Sequence, residues 1–435
     1  MAENSPAQVL LNEFKTAIEN DARATVAHLL SSTDACRQYL NQGLFSGQKP
    51  PLAAAHSRAM IDLLLQHGAD PDKVSQWWAS GFGLQDIPPD IGAYLVQSGA
   101  RLTPHAAAGL GLVEDLHALI DQNPDHLEAK GGDGCTPLHF ATSLPVARLL
   151  AARGAALDAR DEDHLSTPAQ WRISDAPEVT HFLLDQGAGA DIFMAAAFGD
   201  LDLAQQLIDA DPACTTYFIG NNEGPFPGIG FQNRGGHIYQ WSLGFNQTPH
   251  EVALQRGHGD LFQLLLARTP PKHQLLVACL VDDRDLALRL ASENPDLLTQ
   301  MEGEDLTLLA KLCWETNQNI AAVRLLLELG FPVDCPESNH GYSALHNAAW
   351  CGNLELVNLL LDYGHPVALR DPAFNGNPIG WACHSCLEAK RHPEENFPPV
   401  IARLLEAGTP CDRTSYPTGN ADIDALLERH FEESG

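Results

Sequence analysis

The stretch that most constrains the fold is residues 341–371, GYSALHNAAWCGNLELVNLLLDYGHPVALRD, because it contains the parts of a complete helix pair. Ser343 is suited to cap a short first helix, and Gly352 breaks that helix because glycine adopts the left-handed backbone that other residues avoid. Leucines at helical spacing then give a second helix a broad apolar face, which ends at Gly364 before Pro366. Two helices this short have little core of their own, so they must stack on copies of themselves.

Copies of this unit are recognised by a six-residue signature at the start of the first helix. It reads TPLHFA at residues 136–141 and SALHNA at residues 343–348, with weaker copies that begin at Thr167, Thr248 and Asn377. The intervals are 31 residues from the first signature to the Thr167 copy and 34 from the second to the Asn377 copy. The chain therefore resembles the ankyrin repeat family, whose signature is T-P-L-H-x-A and whose period is about 33 residues.

The resemblance implies an all-α fold, an ankyrin-repeat solenoid of about ten to twelve helix pairs for a chain of this length. The predicted organisation runs from N-terminal capping helices over 1–49 to repeats over 50–213, an insert over 214–246, further repeats over 247–411 and a C-terminal cap over 412–435.

Composition excludes several classes of partner. The chain has 26 Lys and Arg against 56 Asp and Glu, a formal net charge of −30, which repels phosphate backbones and anionic lipid. No stretch reaches the roughly 20 continuous apolar residues of a membrane span, and the first residues carry no secretory signal pattern. Ten cysteines at unpatterned intervals indicate reduced, mostly buried thiols. We therefore expect an acidic cytoplasmic protein that binds neither nucleic acid nor membrane.

The insert at residues 214–246, CTTYFIGNNEGPFPGIGFQNRGGHIYQWSLGFN, interrupts the repeat rhythm with glycines and prolines. It carries seven aromatic residues, whereas disordered tracts are poor in aromatics, so we expect it to be ordered. Its HIYQW segment alternates like a strand, which predicts a β-hairpin. The whole pattern resembles a bacterial-type ankyrin repeat protein with a long inserted finger loop.

Candidate binding residues follow from the resemblance, since ankyrin proteins usually grip partners with turn fingers and with two variable positions late in each first helix. These positions match Trp350 and Cys351 in the central unit, and His384 and Ser385 in the next. Trp314 and Glu315 lie near the equivalent place in the preceding unit. Because neighbouring repeats stack side by side, the sequence predicts a row of Trp314, Trp350 and His384 on one concave face, with Trp381 close by. The alternative is that these rings pack against the insert or against each other.

The insert is expected to form a second wall of this surface. Its aromatic residues are too many to leave in water, and docking on the concave side would place Tyr239 and Trp241 opposite the tryptophan row. His237 and His384 would then supply groups that exchange protons near neutral pH. The alternative is that the insert covers an imperfect junction between repeats.

Neither metal nor cofactor is expected from the sequence. Cys383 and Cys386 form a single CxxC pair, whereas a structural zinc site needs four closed ligands. His139 and His346 fill the signature position, where the resemblance implies hydrogen bonds to the backbone of the adjoining turn. The chain contains no nucleophile elbow, HExxH motif or Gly-rich phosphate loop.

Two functions stay open at this stage. The first is a binding module that presents a concave aromatic and acidic surface to a protein or peptide partner with basic or aromatic side chains. The second is an enzyme or small-molecule-binding protein with a pocket between the 214–246 insert and the concave face of the C-terminal repeats. The sequence identifies neither the partner nor a reaction.

Overall fold

The computed structural model describes residues 6–220, 229, 236–315, 317–335, 341–411, 413 and 416–433. Within these ranges the regular structure is helical, and pairing between extended segments is limited to one isolated antiparallel bridge between Ile219 and Gln247. None of the helices in this part of the chain is long and apolar enough to cross a membrane.

The α-helices are numbered in chain order. The first ten are α1 (Pro6–Glu19), α2 (Arg23–Ser32), α3 (Asp34–Tyr39), α4 (Arg58–Gln66), α5 (Pro89–Gln97), α6 (Pro104–Gly109), α7 (Val113–Gln122), α8 (Leu144–Ala152), α9 (Pro168–Trp171) and α10 (Pro177–Asp185). The next seven are α11 (Ile192–Phe198), α12 (Leu201–Ala210), α13 (Tyr239–Ser242), α14 (Pro249–Gln255), α15 (Gly259–Arg268), α16 (Pro271–Leu280) and α17 (Arg284–Glu293). The last seven are α18 (Leu308–Leu312), α19 (Ile320–Glu328), α20 (Ala344–Trp350), α21 (Leu354–Asp362), α22 (Pro378–His384), α23 (Phe397–Glu406) and α24 (Ala421–Glu433).

Shorter turns complete several helix pairs. Turns of 3₁₀ type lie at Ser46–Gln48, Pro51–Ala54, Leu84–Asp86, Pro124–Glu128, Gly132–Gly134, Pro137–Phe140, Pro212–Thr216, Gly303–Thr307 and Glu394–Asn396. One π-helical turn, Ser385–Ala389, follows α22 directly.

Contacts divide the chain into two units. The N-terminal unit contains Met1–Ala190 together with Gln232–Ser242, and the C-terminal unit contains Asp191–Phe231 together with Leu243–Gly435. Each unit is a stack of helix pairs, as the all-α repeat prediction requires. Helix α13 belongs to the N-terminal unit, where it contacts α9.

The central unit forms the predicted helix pair. Ser343 caps α20 in a capping box with His346, and Gly352 follows in the left-handed region at φ +62°. Helix α21 then buries Leu356, Val357, Leu359 and Leu360 on one face. The prediction of a helix, a glycine break and a second Leu-rich helix is therefore confirmed.

The repeat with the intact signature is shorter than the central unit. The first helical residue of α8 lies eight positions after Thr136, whereas that of α21 lies eleven positions after Ser343. The missing residues leave room for only the 3₁₀ turn Pro137–Phe140 in place of a first helix. His139 still performs the signature role, because its Nδ1 accepts from the backbone N–H of Thr136 at 3.0 Å and its Nε2 donates to the carbonyl of Ser166 at 3.2 Å.

The strand predicted for the HIYQW segment is wrong. The backbone turns at Gly236 and Ile238 and continues as the single helical turn α13, in which Trp241 N–H donates to Ile238 O at 3.0 Å. The alternation over five residues instead reflects a turn with Tyr239 fully buried and Trp241 on the solvent side. Residues 221–228 and 230–235 of the predicted insert lie outside the described residues.

The cysteines are thiols, as their spacing indicates. None of the ten, all of which the structure describes, is joined in a disulfide, and nine of them are buried. Burial raises the pKa of Cys383 and of Cys351 to about 12, so these thiols remain protonated and pack as small apolar groups.

Candidate functional site

The hydrogen-bonded turn at residues 370–376, which we call the C-terminal finger, positions Trp381, the last tryptophan of the candidate site. The carboxylate of Asp371 accepts from the backbone N–H groups of Phe374 and Gly376 and, through Oδ2, from the indole N–H of Trp381 at 2.9 Å. His346 joins the preceding helix to this finger, since its Nδ1 accepts from Ser343 N–H and its Nε2 donates to Gly376 O at 3.2 Å. Trp381 is therefore held rigidly and is 9% exposed.

Three successive first helices bring their last residues together. Trp314 follows α18, Trp350 ends α20 and His384 ends α22. The rings of Trp314 and Trp350 stack at 6.0 Å with 20° between their planes, and Trp350 lies 5.8 Å from the ring of His384. The structure thus places the three predicted residues in one row.

Two further rings close the group, which we call the aromatic cluster: Trp314, Tyr342, Trp350, Trp381 and His384. Trp350 meets Trp381 edge to face at 5.7 Å, and Tyr342 lies 4.8 Å from Trp381 and 6.4 Å from Trp314. Trp314 and Trp350 are partly exposed, and the side chain of His384 is more than half exposed. The rings therefore pack against each other, and part of the cluster is still exposed to solvent.

Glu315 supplies the negative charge at this surface. Its Oε2 accepts from the indole N–H of Trp350 at 3.4 Å, and its Oε1 lies 2.8 Å from the guanidinium of Arg391. His392 Nε2 lies 3.4 Å from the same carboxylate. Arg391 and His392 come from the long turn between α22 and α23, which returns along the cluster after a left-handed Lys390. A single carboxylate thus contacts an indole and a guanidinium at once.

A cleft of about 540 Å³ lies beside the cluster within the C-terminal unit. Its wall includes His384, Glu388, Arg370 and Cys383, and His384 Nδ1 lies 3.5 Å from a Glu388 carboxylate oxygen. The exposed edge of the aromatic cluster therefore continues into a concave region of mixed polarity.

Other predicted site residues are placed differently. Cys351 is 3% exposed and its thiol points at the carbonyl of Cys313, 3.7 Å away, because the second variable position turns toward the preceding repeat. His237 and Tyr239 are 5% and 0% exposed inside the N-terminal unit, where their rings contact each other at 4.4 Å. Trp241, in the same unit, is 67% exposed. His237, Tyr239 and Trp241 therefore belong to the N-terminal unit, whereas the aromatic cluster belongs to the C-terminal unit.

The sequence interpretation missed three members of the site. Tyr342 precedes the signature serine, a position that carries Cys135 in the intact repeat, and Arg391 and His392 lie in a turn without any motif. A sequence signal for the finger does exist. Arg370-Asp371 stands ten residues before Trp381, just as Arg160-Asp161 stands ten residues before Trp171.

Comparison with known proteins agrees with this architecture. Residues 275–371 match the family model described as ankyrin repeats in three copies, and residues 133–162 match the model for a single ankyrin repeat. Ankyrin repeat and SAM domain-containing protein 6 of Mus musculus is 32% identical over 133 residues, and its counterpart in Rattus norvegicus is 33% identical over 133 residues. Each alignment covers 28% of this chain and 15% of the relative, so the chain spans a small part of these proteins.

The stacked pairs of short helices define an α-helical repeat protein. The signature histidines, the fingers and the matched segments specify the type of repeat, and the chain contains ankyrin repeats. Ankyrin repeats generally mediate protein–protein interactions.

Proposed function

We propose that the C-terminal unit binds a protein or peptide partner through the aromatic cluster and Glu315, and that the partner inserts a basic side chain there. The observation that carries the proposal is the position of Trp350, which stacks between Trp314 and His384 and donates its indole N–H to Glu315. Rigid aromatic rings around a carboxylate are the arrangement that recognises a guanidinium or ammonium group.

The chain's own Arg391 supports this specificity. Its guanidinium already sits 2.8 Å from Glu315 while its side chain stays 63% exposed. Because the guanidinium of Arg391 is largely exposed to solvent, a partner's arginine can replace it at Glu315. The formal net charge of −30 adds long-range attraction for a basic partner and speeds its approach.

Pre-organisation favours affinity at this surface. The tryptophan rings are fixed by stacking and by the bond between Trp381 and Asp371, so little side-chain freedom is lost on binding. We include Trp241 in the proposal as a separate contact of the N-terminal unit, because its side chain is 67% exposed and tryptophan is enriched at binding interfaces.

The test is selection from a random peptide library on the immobilised full chain. We expect the selected peptides to share an arginine or lysine next to an aromatic or apolar residue, and their enrichment to fall with Trp350→Ala and with Glu315→Gln. Tyr363→Ala is the matched control, since Tyr363 is an exposed ring of the same unit at the end of α21. Peptides without a basic residue, or selection that is equally strong on all variants, would remove this surface from the function.

A further inference from the structure

A second polar cluster lies inside the N-terminal unit, apart from the aromatic cluster. Asp133, Asp161, Asp163 and His164 are each at least 94% buried. Buried carboxylates are costly unless positive charge or N–H donors compensate them. The partners of each carboxylate therefore show whether the group is complete as it stands.

Asp161 is complete. Its two oxygens accept from the backbone N–H groups of His164 and Ser166 and from the indole N–H of Trp171 at 3.0 Å. The turn at residues 160–166, which we call the N-terminal finger, is therefore equivalent to the C-terminal finger that Asp371 and Trp381 build. Both oxygens of Asp161 are thus hydrogen-bonded within the finger, which makes it a structural residue.

The carboxylate of Asp133 has fewer partners than its two oxygens require. Its Oδ2 lies 3.4 Å from His164 Nε2, while no donor among the described residues reaches its buried Oδ1. Asp163 approaches the same imidazole nitrogen, with 4.0 Å between its Oδ2 and His164 Nε2, and this oxygen also accepts from the indole N–H of Trp77 at 3.1 Å. One atom from each of Asp133, Asp163 and His164 can be chosen so that all three lie within 4.8 Å of one another.

The imidazole of His164 is oriented as a ligand. Its Nδ1 lies 2.9 Å from the carbonyl of Gly236, a bond in which the ring nitrogen must donate. In a neutral ring that bond leaves the Nε2 lone pair facing the two carboxylates. Metal-binding histidines are commonly held by a backbone carbonyl in this way.

The separations fit a metal ion better than a shared proton. A charge-assisted N–H···O bond brings its atoms to about 2.7–2.9 Å. Donors arranged tetrahedrally around an ion at about 2.0–2.2 Å are instead about 3.3–3.6 Å apart. The distance of 3.4 Å from His164 Nε2 to Asp133 lies within the range for metal ligands, and the distance of 4.0 Å to Asp163 is longer than both ranges.

The repeat itself provides a comparison within the same chain. The C-terminal finger has the same scaffold, with Arg370 donating to Asn375 O as Arg160 donates to Leu165 O. It carries Ala373 and Phe374 where the N-terminal finger carries Asp163 and His164. The finger therefore folds without an acid and a histidine at these positions, and their presence in one copy requires another explanation.

We propose that Asp133, Asp163 and His164 bind one divalent transition-metal ion of the zinc class in the N-terminal unit. Two carboxylates and one imidazole suit zinc or manganese better than calcium, which prefers oxygen ligands alone. The ion would compensate the buried carboxylates and fix the segment that begins at Gly236 to the finger.

The other buried group of metal-binding residue types does not qualify. Cys135, His139 and Asp161 lie close together, but both nitrogens of His139 and both oxygens of Asp161 already have hydrogen-bond partners. Burial raises the pKa of Cys135 well above its ordinary value, so its thiol stays protonated.

The experiment uses the full chain, stripped with EDTA and then dialysed against buffered Zn²⁺, with bound metal measured by mass spectrometry. We expect one more Zn²⁺ per chain on the unmodified protein than on Asp163→Asn or His164→Gln. A double variant, Cys383→Ser with Cys386→Ser, is the matched control and should keep that ion. Equal zinc on all variants, or no zinc on the unmodified chain, would overturn the proposal.

Folding and ligand type are controlled separately. The variant Asp163→Ala with His164→Phe copies the C-terminal finger, so it should keep the helical circular dichroism spectrum while losing the ion. Co²⁺ should give visible d–d bands on the unmodified chain that are lost in this variant. A thiolate-to-cobalt charge-transfer band that persists in it would show a cysteine site and contradict the assignment. The unmodified chain should also melt at a higher temperature with Zn²⁺ than with EDTA, and the variant should not.

Discussion

The indole N–H of Trp381 donates to Oδ2 of Asp371 at 2.9 Å, and Trp171 donates to Oδ2 of Asp161 at 3.0 Å in the other unit. In both fingers the aspartate also accepts from the backbone N–H groups three and five residues later. The two fingers therefore have the same hydrogen-bond pattern. In the C-terminal unit this pattern fixes the ring of Trp381 in the aromatic cluster.

Replacing Trp381 by phenylalanine removes the donor and keeps most of the ring. We expect the C-terminal unit to lose about 1–3 kcal/mol in its free energy of unfolding, because a buried carboxylate oxygen loses a partner. Urea denaturation followed by circular dichroism measures the loss. Trp241→Phe, at a site that is 67% exposed, is the control and should change stability by less than about 0.5 kcal/mol. Equal effects of both changes would show that the bond to Asp371 contributes nothing.

Two glycines of the central unit separate backbone strain from crowding. Gly352 and Gly364 both have positive φ, +62° and +81°, so alanine costs about 1–2 kcal/mol of backbone strain at either site. A Cβ at Gly352 would lie 2.9 Å from the Asn396 side chain, whereas a Cβ at Gly364 meets no described atom within 4 Å. Gly352→Ala should therefore lower the melting temperature more than Gly364→Ala, and the reverse order would contradict the packing of α23 on the central unit.

Buried histidines predict acid sensitivity of the C-terminal unit. Burial lowers the pKa of His250 and of His365 to about 4, whereas both titrate near 6.5 when unfolded. Below pH 6.5 these histidines are protonated in the unfolded chain but remain neutral in the folded unit. The free energy of unfolding therefore falls as the pH drops from 6.5 toward 4. The expected slope is about 1.4 kcal/mol per pH unit for each histidine.

The check is urea denaturation at a series of pH values. His250→Gln should reduce the slope between pH 6.5 and 4 by about 1.4 kcal/mol per pH unit and leave the dependence above pH 7 unchanged. A slope that is identical in the variant would show that His250 is protonated in the folded unit.

The repeats could be predicted because each one carries local signals that agree with its packing. The signature at Ser343, the glycines at 352 and 364 and the leucines between them each specify one step of the helix pair. The insert lacked such agreement. Five alternating residues over HIYQW satisfy a strand pattern, but burial of Tyr239 against the N-terminal repeats selects a helical turn instead.

The aromatic row could be predicted because equivalent positions of stacked repeats must be neighbours. The side chains around it could not be predicted with the same reasoning. Cys351 turns inward because its thiol fits against the backbone of Cys313, and Arg391 reaches Glu315 only through a turn whose path no periodic pattern describes. Tertiary contacts of this kind are fixed by three-dimensional packing rather than by local sequence.

The central claim is that the aromatic cluster binds a basic side chain, and the most direct measurement is the Kd of a selected basic peptide by titration calorimetry. We predict that Trp350→Ala weakens binding about 30-fold or more, since a central tryptophan anchor is worth about 2 kcal/mol or more. Glu315→Gln should weaken it about tenfold, with a smaller salt dependence. Tyr363→Ala should leave the Kd within about twofold. A Kd that is the same for all four proteins would contradict the account.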